Sequence, residues 1–412
     1  MKKIKIYHQC GFRYNWNIDI YKEKNIGDGF ILSPRDMEKN FLKKMKDEDI
    51  SKSFFDSQFY ALGVMTTQYL SYGFLDNIYD LSDYVKERTA IAKKNIDYQN
   101  SINLEYLTIP TIDFSLLSDD NLFESLYKDL FDGIYDGNES NKLDLLNEII
   151  IKPFVEYIKN LNTKKKVLLT VIFDEEISKN NDRFSEFITL ITRYDIVDGI
   201  YLIPKCKRSY KRISNIQFMI KIMELIKLLK NLNMEVIIGN CDIESLLYIV
   251  AGADAVSLGI YENVRYYDGR KFLDETGFKR PPNPRMFSYK LLQWIDYAYL
   301  FPISENYDME EIFDYNEYYE LTKIDSYKWN FHRQEPYKHY MISFCKILNN
   351  MPEKFDEKFE YVKGLLNEAQ AMNKSFVENG IILDDNSGGA HIPYWMTILN
   401  QFKKIMGVNE HV

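Results

Sequence analysis

Residues 234–272 read MEVIIGNCDIESLLYIVAGADAVSLGIYENVRYYDGRKF, and this stretch decides the fold. Its apolar run Val236–Gly239 stops at Gly-Asn-Cys-Asp. A short helical segment follows, then Ala-Gly-Ala-Asp, then a second apolar run, Ala255–Gly259. Strand, loop, helix, turn and strand in that order are the grammar of a parallel βα unit. Both strands end in glycine, where a backbone can approach a ligand without a Cβ in the way. The loop after the first strand opens a helix N-terminus, whose free N–H groups suit an anion.

Working outward, the sequence predicts eight such strands: Lys3–His8, Phe30–Ser33, Phe59–Gly63, Leu104–Ile109, Val167–Phe173, Gly199–Ile203, Glu235–Gly239 and Ala255–Gly259. For the third, the neighbouring Phe54-Phe55 is the alternative. Helical patterns separate most of them. Phe218–Leu232 carries apolar residues at three- and four-residue spacing, and Leu143–Leu161 is interrupted by Pro153. The expected fold is α/β, a (β/α)8 TIM-like barrel over residues 1–272, with a Rossmann-like layout of fewer strands as the alternative. No GxGxxG appears, which weighs against a dinucleotide cofactor. The proline-rich turn Lys279–Arg285 leads into an expected helical C-terminal region, residues 273–412. Its helices are read over Ser288–Leu300, Met309–Leu321, Tyr337–Leu348, Glu357–Glu378 and Tyr394–Met406. Asn386–His391, rich in glycine, reads as a connector between helices.

A chain of 412 residues can bury a large core. Its formal net charge of −9 removes the simplest argument for nucleic acid, an overall basic field. Contact with nucleic acid or a nucleotide would need a local patch such as Lys205–Arg212, or Lys279-Arg280 with Arg285; solvated loops are the plain alternative. Cys10, Cys206, Cys241 and Cys345 are far apart and form no CxxC, so they read as reduced thiols. No apolar run reaches the roughly 18 residues of a membrane helix. The expectation is a cytoplasmic protein without membrane contact. His332, His339, His391 and His411 show no metal spacing, so no metal site is expected.

Working residues of a barrel stand at the C-terminal ends of strands and in the loops after them. Those positions hold His8 and Gln9; Ser33, Arg35 and Asp36; Asp113; Asp174, Glu175 and Glu176; Lys205; Gly239, Asn240 and Asp242; and Glu262, Asn263 and Arg265. Asp174 follows the apolar run VLLTVIF and reads as a general base or nucleophile, or as the cap of the next helix. His8 reads as a proton shuttle or as a structural histidine bonded to backbone. Arg35 could clamp a phosphate or carboxylate, or pair with Asp36 or Asp56. Asn240 and Arg265 would hold a phosphate or a base edge.

The run from Ile237 to Arg270, with HQCGFRYNWNI at His8–Ile18, GDGFILSP at Gly27–Pro34 and FDSQFY at Phe55–Tyr60, resembles the tRNA-guanine transglycosylase superfamily. Within it, the chain looks like the branch related to DNA 7-deazaguanine-inserting enzymes and to barrel proteins encoded near bacterial phage-defence genes. The resemblance covers about two-thirds of the chain in scattered blocks. It implies a barrel that exchanges a purine base through a covalent glycosidic intermediate, with an aspartate late in the barrel as nucleophile. Here the matching position is Ser257, and the family's four-ligand zinc site is absent. Asp254 comes before the strand and Glu262 beyond it. The resemblance therefore implies either a displaced nucleophile, Asp174 or Glu262, or a branch that does not perform the exchange. Two functional expectations follow: a nucleobase- or nucleic-acid-directed enzyme using barrel-mouth carboxylates, or an inactive barrel serving as sensor or scaffold in a defence complex, with the helical C-terminal region as its protein-partner surface. A barrel binding a small phosphorylated molecule at Gly239–Asp242 is a third.

Overall fold

The computed structural model describes residues 4–62, 67–117, 120–131, 135, 137, 139–209, 211–273, 282–324 and 326–409. Lys3 and Gly63 of the expected strands, residues 279–281 of the proline-rich turn, and His411 lie outside them. Eight parallel strands, β1 (Lys5–Gln9), β2 (Gly29–Leu32), β3 (Phe54–Phe55), β4 (Tyr106–Ile109), β5 (Lys166–Asp174), β6 (Gly199–Lys205), β7 (Glu235–Ile238) and β8 (Ala255–Gly259), form one sheet. Its order is β3-β2-β1-β8-β7-β6-β5-β4, so the first and last strands of the barrel pair. The remaining seam is bridged by Glu105 N–H donating to Ser53 C=O at 2.9 Å and by the Thr108 hydroxyl on Phe55 C=O. The result is a nearly closed TIM-like barrel with helices between its strands.

The third strand is Phe54–Phe55, not Phe59–Gly63. Phe59 and Tyr60 are buried too, but in the loop above it, so hydrophobicity alone could not separate strand from loop here. The Leu143–Leu161 pattern is split ahead of Pro153: the helix Glu139–Leu146 widens to a π-helical turn at Asn147–Ile151, and Pro153 sits in the first turn of the helix Lys152–Lys159.

Beyond the barrel, Ser288–Leu300 is not a helix. β9 (Arg285–Ser288) and β10 (Gln293–Asp296) form an antiparallel hairpin. Its two faces explain the choice. Phe287 and Trp294 point into the core shared with the barrel, while Met286 and Ile295 face a second, smaller core. A period of two buries both sets, which a helix could not. Asp314 (φ 64°) splits the expected Met309–Leu321 helix into Met309–Phe313 and Glu317–Thr322. The helices Glu335–Asn349, Phe355–Glu378 and Ile392–Asn409 agree with the periodicity. Trp395, fully buried, donates its indole N–H to Ile213 C=O at 2.8 Å and ties the last helix to the barrel. Among the described residues no helix is long and apolar enough to cross a membrane.

Candidate functional site at the barrel mouth

Strand parity decides what reaches the lumen. Tyr7 lies inside with Ile31, Phe54, Tyr106, Leu168, Tyr201, Ile237 and Ala255. Gln9, two residues on, also faces inward, where its Oε1 accepts from the Tyr201 hydroxyl at 3.3 Å. His8, between them, faces outward. It is fully buried against Phe30, bonds Ile26 C=O at 2.7 Å through Nε2 and meets Asn17 through Nδ1. Burial pulls it down to about 4, and it is not brought to the mouth.

Tyr201 fills the upper lumen. A Cβ on Gly239 would sit 2.3 Å from its ring, so this glycine makes room for a side chain of the barrel itself. Above the rings lies Asp56, just past β3. It is 2% exposed, and both its oxygens stand 2.9 Å from the Tyr60 hydroxyl; Gln58 N–H donates to Oδ1 at 3.1 Å. Burial outweighs these donors and pushes the carboxyl up to about 6. A strap over residues 266–272 covers it. Tyr267 and Phe272 pack on Tyr60 with ring centroids 5.3 and 4.9 Å away. Lys271, half-buried in the strap, donates to Asn263 C=O at 3.0 Å, and burial brings it down to about 8. It acts through space on Asp36 and Asp56.

Beside the strap, a cleft of about 370 Å³ opens over the ends of β4, β5 and β6. Asp113 accepts from Lys205 Nζ at 2.6 and 2.9 Å, from Tyr267 Oη at 3.0 Å and from Ser115 Oγ at 2.7 Å. Lys205 also donates to Ser115 Oγ at 2.6 Å. Asp174 and Glu175 line the same cleft. Asp174 caps the helix Glu175–Lys179 by accepting from Ile177 N–H at 3.0 Å, and Glu175 accepts from Lys207 N–H and the Cys206 thiol. The structure thus gathers Gln9, Asp113, Asp174, Glu175 and Lys205 at one face. Ser33 and Arg35 sit near it: Ser33 Oγ donates to Gln58 Oε1 at 2.8 Å, and the Arg35 guanidinium lies over Phe272 at 5.4 Å.

The β7–β8 side differs from the expected anion site. The loop after β7 is wholly buried and already filled by its own acids. Asn240 (φ 47°) bonds Val264 C=O at 3.3 Å. Asp242 faces Arg212 at 3.5 Å and Arg265 at 3.4 Å and accepts from Tyr340 at 3.2 Å; Glu244 binds Arg208. Those arginines hold the Asp242 carboxyl below its ordinary range despite burial. Glu262 pairs with Lys211, and with Asn263 and Arg265 it lines a second cavity on the far side of this network.

Asp56, Tyr60, Tyr201, Tyr267 and Lys271 meet at the mouth, yet the strand-end rule did not single them out. Asp56 stood in the quoted FDSQFY segment, two residues past the inward-facing Phe54, but only the observed placement of the third strand shows that parity. Among the described residues no group of three or more His, Cys, Asp or Glu could hold a metal. What the arrangement can do is acid–base chemistry: a carboxyl and an amine are both drawn toward neutrality within one aromatic-walled mouth. Compared with known proteins, the chain matches no family model, no curated protein and no solved structure.

Proposed function

We propose that this protein is an enzyme directed at a nucleobase, free or within a nucleotide or nucleic acid, and that it works at the barrel mouth. The observation carrying this reading is Asp56, a buried carboxyl with its pKa at about 6, hydrogen-bonded to Tyr60 under an aromatic strap. Tyr60, Tyr201, Tyr267 and Phe272 suit a planar ring. A carboxyl poised near neutrality suits proton donation to a departing base, and the ion-paired Asp113 suits stabilising positive charge on a sugar. In this reading the working carboxylates are Asp56 and Asp113. Asp174 serves as a helix cap in the cleft wall, and Glu262 is engaged with Lys211. Ser257 is fully buried, its hydroxyl beside Cys241, and offers no nucleophile. The transglycosylase-like resemblance supports the substrate class and is the whole basis for a defence setting.

The test is turnover of nucleosides and of guanine-containing RNA and DNA, followed by base release or exchange. Asp56→Asn and Asp113→Asn should each lower the rate by about 10²–10⁴-fold with folding intact. Unchanged rates in both variants would refute the assignment. The sensor or scaffold reading draws on one observation, the strap seated on Tyr60, which must lift before any substrate reaches Asp56. No turnover on any base, together with a stable complex with a co-expressed neighbour, would select that reading.

A further inference from the structure

We infer that the cavity of about 420 Å³ between the end of β8 and the C-terminal hairpin is a nucleotide site, separate from the mouth and independent of its chemistry. Its size falls within the usual range for small-ligand pockets, about 300–1,000 Å³.

Behind the cavity three guanidiniums, Arg208, Arg212 and Arg265, meet only two carboxyls, Asp242 and Glu244, and all five side chains are at most 8% exposed. One positive charge is left without a counter-charge in a place where burying an ion costs most. Arg212 and Arg265 divide the single carboxylate of Asp242 at 3.5 and 3.4 Å, and Arg265 is the member that lines the cavity. The other charged groups on the wall are Lys211, Glu262 and Arg285. Lys211 and Glu262 cancel, and Arg285 stands 3.9 and 3.8 Å from Asp296 and Asp384. Arg285 thus faces one carboxylate more than it balances, and the surplus positive charge lies on the Arg265 side of the cavity. An anion fits that side.

The shape and surface of the cavity point to the same ligand. The Arg265 guanidinium carbon lies 3.9 Å from the Trp294 ring centroid, a stacked cation that presents a flat floor. Tyr261 and Tyr337 make a ring pair at 5.0 Å beside it, and Phe12, 53% exposed, stacks on Tyr261 at 6.0 Å as the rim. An exposed phenylalanine stacked at the edge of a ring-lined cavity is placed to cover a planar ligand. Rings for a base and guanidinium or ammonium groups for a phosphate define a nucleoside monophosphate unit, free or within a single strand.

The experiment is calorimetric titration of the full chain with nucleoside monophosphates, the matching nucleosides, inorganic phosphate and a 5′-phosphorylated trinucleotide. Monophosphates should bind at least tenfold tighter than nucleosides or phosphate. Phe12→Ala and Lys211→Glu, both at the rim and outside the core, should each weaken binding about five- to tenfold or more. Lys166→Met, at the opposite end of the barrel, should leave it unchanged. A trinucleotide that binds more tightly than the monophosphate assigns the site to a strand; equal affinity assigns it to the free nucleotide. No heat with any ligand, equal binding of nucleoside and monophosphate, or full affinity in both rim variants would overturn the inference.

Discussion

The two ends of the barrel lumen are built from the same residue types and do opposite things. At the lower end Glu105 accepts from Tyr7 at 2.8 Å and from Lys5, and Glu235 accepts from Tyr106 at 2.8 Å and from Lys166 at 3.1 Å. Each carboxylate there has both a hydroxyl and an ammonium. At the upper end Asp56 has the hydroxyl of Tyr60, but its nearest ammonium, Lys271, acts on it through space. The lower cluster is a balanced plug that holds strands together. The upper one keeps a carboxyl partly protonated in the range where proton transfer is useful. Tyrosine–carboxylate contact alone marks neither structure nor function; a cation in contact separates Glu105 and Glu235 from Asp56, while Asp113, at the mouth with both Tyr267 and Lys205, is built like the lower pair.

The largest expected effect concerns Asp56 itself. Its folded pKa, about 6, lies above the ordinary carboxylate value, so between roughly pH 4 and 6 the folded chain keeps a proton that the unfolded chain has released. Stability therefore falls as pH rises through that window and stays reduced above it. Asp56→Asn removes the penalty. Denaturant unfolding should find the variant more stable by as much as about 3 kcal/mol at pH 7, with the gap closing below pH 4. A gap independent of pH would dissolve the contrast between the two ends.

Next come the glycines that shape each end. A Cβ on Gly199, near the base, would lie 2.6 Å from Glu235 backbone oxygen, whereas one on Gly239 would meet the Tyr201 ring. A backbone cannot yield as a ring can. Gly199→Ala should cost about 3 kcal/mol and Gly239→Ala about 1–2 kcal/mol, measured by thermal and denaturant unfolding. The reverse order would mean that the mouth is the more rigid end. Tyr106→Phe, which removes one donor from Glu235 and leaves Lys166 in place, should cost about 1.5 kcal/mol. Smallest is Lys166→Met. Its ammonium is largely exposed, so the loss should stay under about 1 kcal/mol and shrink further in high salt.

Much of the barrel was legible because parallel strands covered on both faces read as short apolar runs with breakers between them. The same burial hid the site. Where both faces of a strand are apolar, nothing in the sequence says whether Tyr7 or His8 points inward, and tyrosines at 60, 201 and 267 look like core anywhere. Strand-end counting found Gln9 and Lys205 because each ends its own strand, and Asp113 because it lies in the loop that follows β4. Strand-end counting also listed Asp242 and Arg265, but their joining through Arg212 gave no signal, since the three meet only after the loops following β6, β7 and β8 fold together. The hairpin was missed for a related reason: Leu291, Leu292, Trp294 and Ile295 have helical spacing, and only the existence of two cores favours the strand period.

The Trp395–Ile213 hydrogen bond spans 182 positions of sequence. A ribosome adds about 5–20 residues each second, so the barrel segment around Ile213 is made about ten to forty seconds before the tryptophan that covers it. During that interval the groove that will hold the last helix is an open apolar surface. The pace of translation and the chaperones at hand thus enter the yield of this protein through one buried indole.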